Sequence, residues 1–280
     1  MNSASPKPPG WGSSTPAGMF RVLPPLTGRQ RPWRLVERNV VAYRRTWPIF
    51  LSGFLEPILF LLSIGIGVGA LVGDLPVGPL VVSYKVFVAP GLLASAAMNG
   101  ALLDTTFNFF VKFKYSHTYD AILATPVGTG DVATGEVVWA LMRGAIYSTA
   151  FLVTMLFFGL VLSWWALLAV PAAVLIGFGF AGAGLAASTF MRSWVDFDYV
   201  SLALVPMFLF SATFFPIDRY PAGLQAVIRL TPLYQGVVLE RSLVVGNMHW
   251  SLLANAAYLA IMGAVGLRIA ARRIGRLLQP

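Results

Sequence analysis

The residues best equipped for chemistry in this 280-residue chain stand together between Phe113 and Glu136, in FKYSHTYDAILATPVGTGDVATGE. The run combines hydroxyls, the imidazole of His117 and the carboxylates of Asp120, Asp131 and Glu136 with a proline-glycine turn. His117 near Asp120 is the kind of pair that moves protons in general acid–base catalysis, which works only where the groups converge on a substrate. GTGDVA, from Gly128 to Ala133, imitates the dinucleotide fingerprint G-x-G-x-x-A. That fingerprint needs a buried strand before it and a βαβ unit around it. No such unit surrounds these glycines, which read as a turn and a helix start. A phosphate-binding loop, G-x-x-x-x-G-K-[ST], is also missing: Lys7, Lys85, Lys112 and Lys114 neither follow a glycine nor precede Ser or Thr. With no cysteine, and with His117 and His249 far apart, the sequence offers neither a zinc motif nor a disulfide. The expectation is therefore no catalytic residue, no bound cofactor and no metal in this chain.

A second set of candidates is charged residues inside apolar runs: Glu56, Asp104 and Arg143. Such residues are expensive in a membrane and commonly functional. Asp104 and Arg143 can meet if their segments pack side by side, and then read as a structural buried pair. The acids are scattered, which argues against an intramembrane hydrolase or transferase.

The elements that must position these residues follow from composition. Hydrophobic residues make up 57% of the chain and charged ones 11%, against roughly 25% charged in an ordinary soluble domain. The mean hydropathy is +0.74. A membrane helix needs about 20 apolar residues to cross roughly 30 Å. Six runs qualify: Pro48 to Val72, Val86 to Val111, Val137 to Leu162, Ala166 to Phe190, Tyr199 to Phe215 and Trp250 to Ala271. The fold expected is an all-α membrane protein. It comprises a disordered tail over 1–30, an amphipathic helix over 31–47, a six-span transmembrane domain over 48–271 and a short tail over 272–280. The net charge of +9 sits at the edges of the apolar runs rather than on one folded face, so it speaks for topology and not for nucleic acid.

Arginine and lysine mark the cytoplasmic side of short loops and tails. Arg21, Arg29, Arg31, Arg34, Arg38, Arg44 and Arg45 precede the first span, Lys112 and Lys114 follow the second, and Arg268, Arg272, Arg273 and Arg276 close the last. Both termini are expected in the cytoplasm, in a multi-pass protein of the cell membrane. Before the first span, Trp33, Val36, Val40 and Tyr43 recur at helical spacing, which predicts a helix lying in the membrane interface.

Toward the other side, Pro206 sits inside the fifth span, and Phe214, Phe215 and Pro216 end it. Proline removes a backbone donor and kinks or breaks a helix, which suits a gate. Beyond it, Leu224, Val227 and Ile228 make a short apolar face, Pro232 breaks it, and Leu233 to Val245 resumes. Two short helices dipping into the outer leaflet are expected there, packed on the bundle because irregular backbone at that depth needs protein or water partners. Gly65, Gly69 and Gly73, with Gly177, Gly179, Gly182 and Gly184 in the fourth span, let helices approach closely, either within the subunit or at a dimer seam.

Four stretches in order carry a resemblance: YRRTW at Tyr43 to Trp47, EPILFLLSIGIGVG at Glu56 to Gly69, YDAILATPVGTGDVATGE at Tyr119 to Glu136, and FLFSATFFPIDRYP at Phe208 to Pro221, followed by TPLYQGVVLERSLVVG at Thr231 to Gly246. Together they resemble the membrane subunit of type 2 ABC exporters, toward the branch of nodulation protein J, a lipooligosaccharide exporter subunit. The resemblance implies two membrane subunits, identical or related, paired with two separate ATPase subunits that bind ATP and Mg. It implies a short cytoplasmic coupling helix from Tyr119 to Ala124 that docks into the ATPase, ended by Pro126. Tyr115, His117, Tyr119, Asp120, Leu123 and Pro126 are its expected contacts, and the N-terminal amphipathic helix is a second one. The function implied is export of an amphipathic substrate such as a lipid-linked saccharide, glycolipid or drug. The sequence leaves two rivals, an intramembrane enzyme acting on lipid-linked substrates and a secondary transporter. The latter would carry internal repeats that this chain lacks.

Overall fold

In the computed structural model the described residues are 31–43, 47–116, 119, 122 and 127–278, so the tail expected over 1–30 lies outside them. The chain runs α1 (Arg31–Tyr43), α2 (Trp47–Gly67), α3 (Gly69–Val72), β1 (Asp74–Val77), β2 (Leu80–Ser83), α4 (Tyr84–Leu103), α5 (Thr129–Phe157), α6 (Ala169–Ser188), α7 (Asp196–Leu209), α8 (Ala222–Leu230), α9 (Pro232–Val245) and α10 (Ser251–Leu278). The chain is mostly helical, as its long apolar runs dictate. Among the described residues, four helical segments are long and apolar enough to cross a membrane: Tyr84–Tyr115, Thr129–Phe157, Trp164–Ser188 and Ser251–Leu277.

The expected boundaries shift in instructive ways. The second span does not stop at Val111, because α4 continues through widened π turns over Asp104–Asn108 and Val111–Tyr115. The third begins at Thr129 instead of Val137, where the Asp131 carboxylate accepts the Gly128 N–H at 2.9 Å and so satisfies a donor at the helix start. The polar run expected to be a loop from Lys112 to Glu136 is thereby consumed from both ends. The fifth span ends at Leu209 rather than Phe215; α7 has 14 residues, about 21 Å at 1.5 Å per residue, short of a crossing on its own. Pro206 stands in its last turn, and the Phe210 N–H bonded to the Pro206 carbonyl closes it.

One element was not anticipated. Between α3 and α4 the chain folds into an antiparallel hairpin pairing Leu75 with Val82 and Val77 with Leu80. Its two-residue loop starts at Gly78 with φ +58°, the backbone that a tight primed turn requires of its first position. The Asn247 amide, just past α9, occupies the space a Cβ on Gly78 would fill.

Helix α6 is the hub, packing against α4, α5, α9 and α10. Its glycines divide the task. Gly177 faces Leu141 of α5 and Ala101 of α4, and Gly184 faces Leu102, Thr105 and Thr106. Gly179 and Gly182 face α10, where Gly182 lies against the backbone of Gly263, and Gly266 lies against Gly182 in turn. Gly65 and Gly69 likewise meet Lys85 and Tyr84 at the start of α4. These glycines therefore serve packing inside one chain. In lipid, where burying apolar surface between helices gains nothing over burying it in acyl chains, such close approach supplies the attraction. Leu93, Met98, Met155, Ile176, Leu185, Leu233 and Leu259 fill the fully buried interior.

The Gly182 contact gives a direct test. A Cβ there would stand 2.9 Å from the Gly263 Cα, so Gly182→Leu is expected to cost about 3 kcal/mol or more. Gly144, with nothing within 4 Å of a Cβ, should accept alanine without loss. Thermal unfolding of the two variants in detergent distinguishes them, and equal midpoints would remove the backbone contact as a determinant of the fold.

Candidate functional site

Asp104 and Arg143 meet across α4 and α5, with Arg143 Nη1 donating to Asp104 Oδ1 at 2.6 Å. Asn108 Nδ2 donates to the same carboxylate oxygen at 2.7 Å, and Arg143 Nη2 to the Tyr147 hydroxyl at 3.3 Å. The first π turn starts at Asp104. An ion pair with both ends held by further hydrogen bonds is the form in which charge is tolerated within an apolar bundle. Glu56 lies on α2, and its side chain lies outside the described residues.

Two helical turns further along α4, a second polar rung joins the same helices. Lys112 Nζ bonds Glu136 Oε2 at 2.8 Å, and the Tyr119 hydroxyl donates to Glu136 Oε1 at 2.9 Å. Glu136 is 2% exposed and Tyr119 1%. The Tyr119 ring lies 5.2 Å from Phe109, which stacks on Phe113 in turn. Tyr119 and Ile122 both have helical backbone. Tyr119, expected as a surface contact, is thus turned inward because its hydroxyl completes the Glu136 carboxylate and its ring completes the Phe109 cluster. His117, Asp120, Leu123 and Pro126 lie outside the described residues. Tyr115 is exposed and stacks on Trp194, with ring centroids 5.2 Å apart. Trp194 also packs on Phe107, Phe110 and Phe197, tying the end of the α4 segment to the start of α7.

The amphipathic helix α1 docks on this same region. Leu35, Val36 and Asn39 are buried, and α1 packs on α5 where Gly135 makes room for Leu35 and the Pro32 carbonyl. The expected stripe is therefore split. Val36 turns into the bundle, whereas Trp33 and Val40 are exposed at 37% and 49%; Tyr43 ends the helix. The missing Cβ at Gly135 leaves the space that Leu35 fills, so Leu35 rather than Trp33 is the packing residue.

At the opposite end of the bundle the chain between α7 and α8 is clamped. Arg241 Nε donates to the Phe87 carbonyl at 3.0 Å, and Nη2 to the carbonyls of Ala212 at 2.8 Å and Thr213 at 3.3 Å. Its guanidinium lies 3.8 Å from the centroid of the Phe87 ring. Ala212 is held at φ +56°, a region that disfavours residues with a Cβ. Phe214 meets Phe208 edge-on at 5.2 Å, Phe215 is exposed, and Pro216 leads into the short turn Ile217–Arg219. Pro232 opens α9 directly after Thr231 closes α8, which makes the two short helices distinct elements. Beside Arg241, both carboxylate oxygens of Glu240 are buried without a hydrogen-bond partner among the described residues. Sequence reasoning passed over Glu240 and Arg241, although a charged pair within the apolar run Leu233 to Val245 was the signal that could have found them.

The family model described as ABC-2 type transporter matches residues 32–245, from the start of α1 to the end of α9. The chain is a member of the ABC-2 type transporter family. It is 32% identical over 226 residues to Nodulation protein J of Rhizobium leguminosarum bv. trifolii, covering 79% of this chain and 84% of that protein. To Nodulation protein J of Rhizobium leguminosarum bv. viciae it is 30% identical over 218 residues, 77% and 81% of the two chains. To that of Sinorhizobium fredii it is 29% identical over 248 residues, 84% and 93%. As an ABC-2 transporter chain it is the membrane subunit, a multi-pass membrane protein whose part in the reaction is transport.

The clamp and the Tyr119 rung can be weighed separately in this ABC-2 subunit. Arg241→Leu leaves the Ala212 and Phe87 carbonyls without that donor and is expected to destabilise by about 3 kcal/mol. Tyr119→Phe keeps the ring and loses one charge-assisted bond, about 1.5–3 kcal/mol. A double-mutant cycle of Tyr119→Phe with Glu136→Gln, followed by thermal unfolding, should give a coupling of about 0.5 kcal/mol or more. Strict additivity would show that the two do not interact.

Proposed function

We propose that this chain is the membrane subunit of an ATP-driven exporter, energised by a separate ATPase subunit that binds ATP and Mg, and that it moves an amphipathic substrate across the cell membrane. The substrate class that fits is a lipid-linked saccharide, a glycolipid or a drug; the similarity to Nodulation protein J favours a lipid-bearing saccharide. The working assembly contains a second copy of this chain or a related membrane subunit. In this reading both termini are cytoplasmic, so the end bearing Lys112, Lys114, Arg273 and Arg276 faces the ATPase.

The observation that carries the reading is the Tyr119–Glu136–Lys112 rung. A segment that receives force from a partner must be joined to the helices it moves, and here Tyr119 is bonded to α5 through Glu136, which is bonded to α4 through Lys112. Closure of the ATPase subunits against the segment after α4 would then displace both helices together. Tyr119 acts as the internal anchor of that segment, leaving direct contact with the ATPase to its neighbours, among them His117, Asp120, Leu123 and Pro126, and to the exposed Tyr115. The exposed face of α1 with Trp33 and Val40 supplies a second contact at the membrane interface. The clamped turn after α7, with Pro206, Phe214, Phe215, Pro216 and Pro232 around it, forms the outer gate. Differential binding of ATP to the closed dimer of ATPase subunits is what shifts the equilibrium between the two arrangements.

Affinity purification of the tagged full chain from its own membranes should bring down a phosphate-loop ATPase and ATP hydrolysis with it. The Tyr119→Phe, Glu136→Gln double variant should keep that association yet lose several-fold in export, read by lipid profiling of cells carrying it against cells lacking the chain. Purification without any ATPase, or full export by the double variant, would overturn the proposal. A reporter fused after Pro280 that is active only outside the cell would overturn its orientation.

A further inference from the structure

The Gly182–Gly263 contact that draws α6 and α10 together leaves a groove on the outer side of the same two helices. Ala183 and Ala186 of α6 form one wall; Tyr258, Met262, Val265 and Ile269 of α10 form the other. Its volume is about 470 Å³, within the roughly 300–1,000 Å³ of small-molecule sites. From Tyr258 to Ile269 the rise of the helix is about 16 Å, close to half of the roughly 30 Å hydrocarbon layer, the depth of one leaflet's acyl chains. The Tyr258 hydroxyl, at the far end, is bonded to the Leu230 carbonyl at 3.0 Å.

At the other end of the groove the helix turns basic. Arg268, Arg272 and Arg276 are exposed. They fall three, seven and eleven residues after Val265, the spacing that keeps side chains on one helical face. Arg273 is engaged elsewhere, its guanidinium 3.6 Å from the centroid of the Phe190 ring and its Nε 3.2 Å from the Thr189 hydroxyl. No acidic residue occurs anywhere in α10. An apolar slot one leaflet deep that ends in a row of exposed arginines, with no ion pair to them among the described residues, complements a molecule with an acyl chain and an anionic head.

We propose that this groove is a binding site for an anionic phospholipid, with one acyl chain between α6 and α10 and the headgroup phosphate on Arg272 and its neighbours Arg268 and Arg276. The lipid acts as a resident ligand that fills the seam beside the glycine contact. The inference stands on the groove and the arginine row and does not depend on what the transporter carries.

The test uses the full chain in vesicles of phosphatidylcholine alone or with added phosphatidylglycerol. Two readouts apply: lipid retained on the purified protein by native mass spectrometry, and the thermal midpoint. Phosphatidylglycerol should be retained in preference to phosphatidylcholine and should raise the midpoint. Arg272→Gln with Arg276→Gln should lower that preference roughly thirtyfold, about fivefold per arginine. Val265→Trp, or Ala183→Leu as an independent variant, fills the slot without touching charge and should also abolish retention while leaving the midpoint in phosphatidylcholine unchanged. Equal retention of the two lipids would overturn the proposal. So would a normal preference in both slot-filling variants, because the arginines would then be acting as a diffuse basic surface.

Discussion

Backbone contact between α6 and α10 through Gly182, Gly263 and Gly266 sets the geometry on which the other features rest. Apolar side chains alone do not hold two helices together in a solvent as apolar as they are; close packing of small residues does. Once α10 is fixed against α6, its last turns reach the basic end of the bundle, where Arg273 closes over Phe190 and Gly275 comes to Thr129 at the start of α5. The remaining faces of α6 are spent on α4, α5 and α9. Gly236, facing Ile176, lets the short helix α9 sit deep enough to bring Arg241 to the turn after α7.

Six side chains of this interior form cross-links between elements rather than one cluster. Asp104 with Arg143, and Lys112 with Glu136 and Tyr119, tie α4 to α5 at two heights. Arg241 ties α9 to α4 and to the 210–216 turn. Each link takes the place of water for groups that would otherwise be unsatisfied in a low-dielectric interior. The helix pair α4 and α5 is thereby linked twice.

Much of this was legible from residue order. Apolar run length announced most of the helices, and Pro232 separated α8 from α9. What could not be read was set by three-dimensional neighbours. A polar run such as Lys112 to Glu136 reads as a loop because periodicity is lost there, yet Lys112–Tyr115 stays helical as an extension of α4, and Asp131 starts α5 early by capping it. Tyr119 reads as a surface residue because its neighbours are polar; only the proximity of Phe109 and Glu136 turns it inward. The α1 stripe was legible as amphipathic, but which residues face the bundle depended on Gly135, a hundred positions away. The hairpin between α3 and α4 was hidden because DLPV and LVVS are too short to show alternation against an apolar background.

The clamp on the turn after α7 differs in kind from the two rungs between α4 and α5. Those rungs rest on side-chain acceptors, the carboxylates of Asp104 and Glu136. Arg241 grips main-chain carbonyl oxygens and the face of Phe87. Because its acceptors are main-chain oxygens, the clamp rests on the single side chain of Arg241 and holds the left-handed backbone at Ala212 whichever side chains stand at positions 212 and 213.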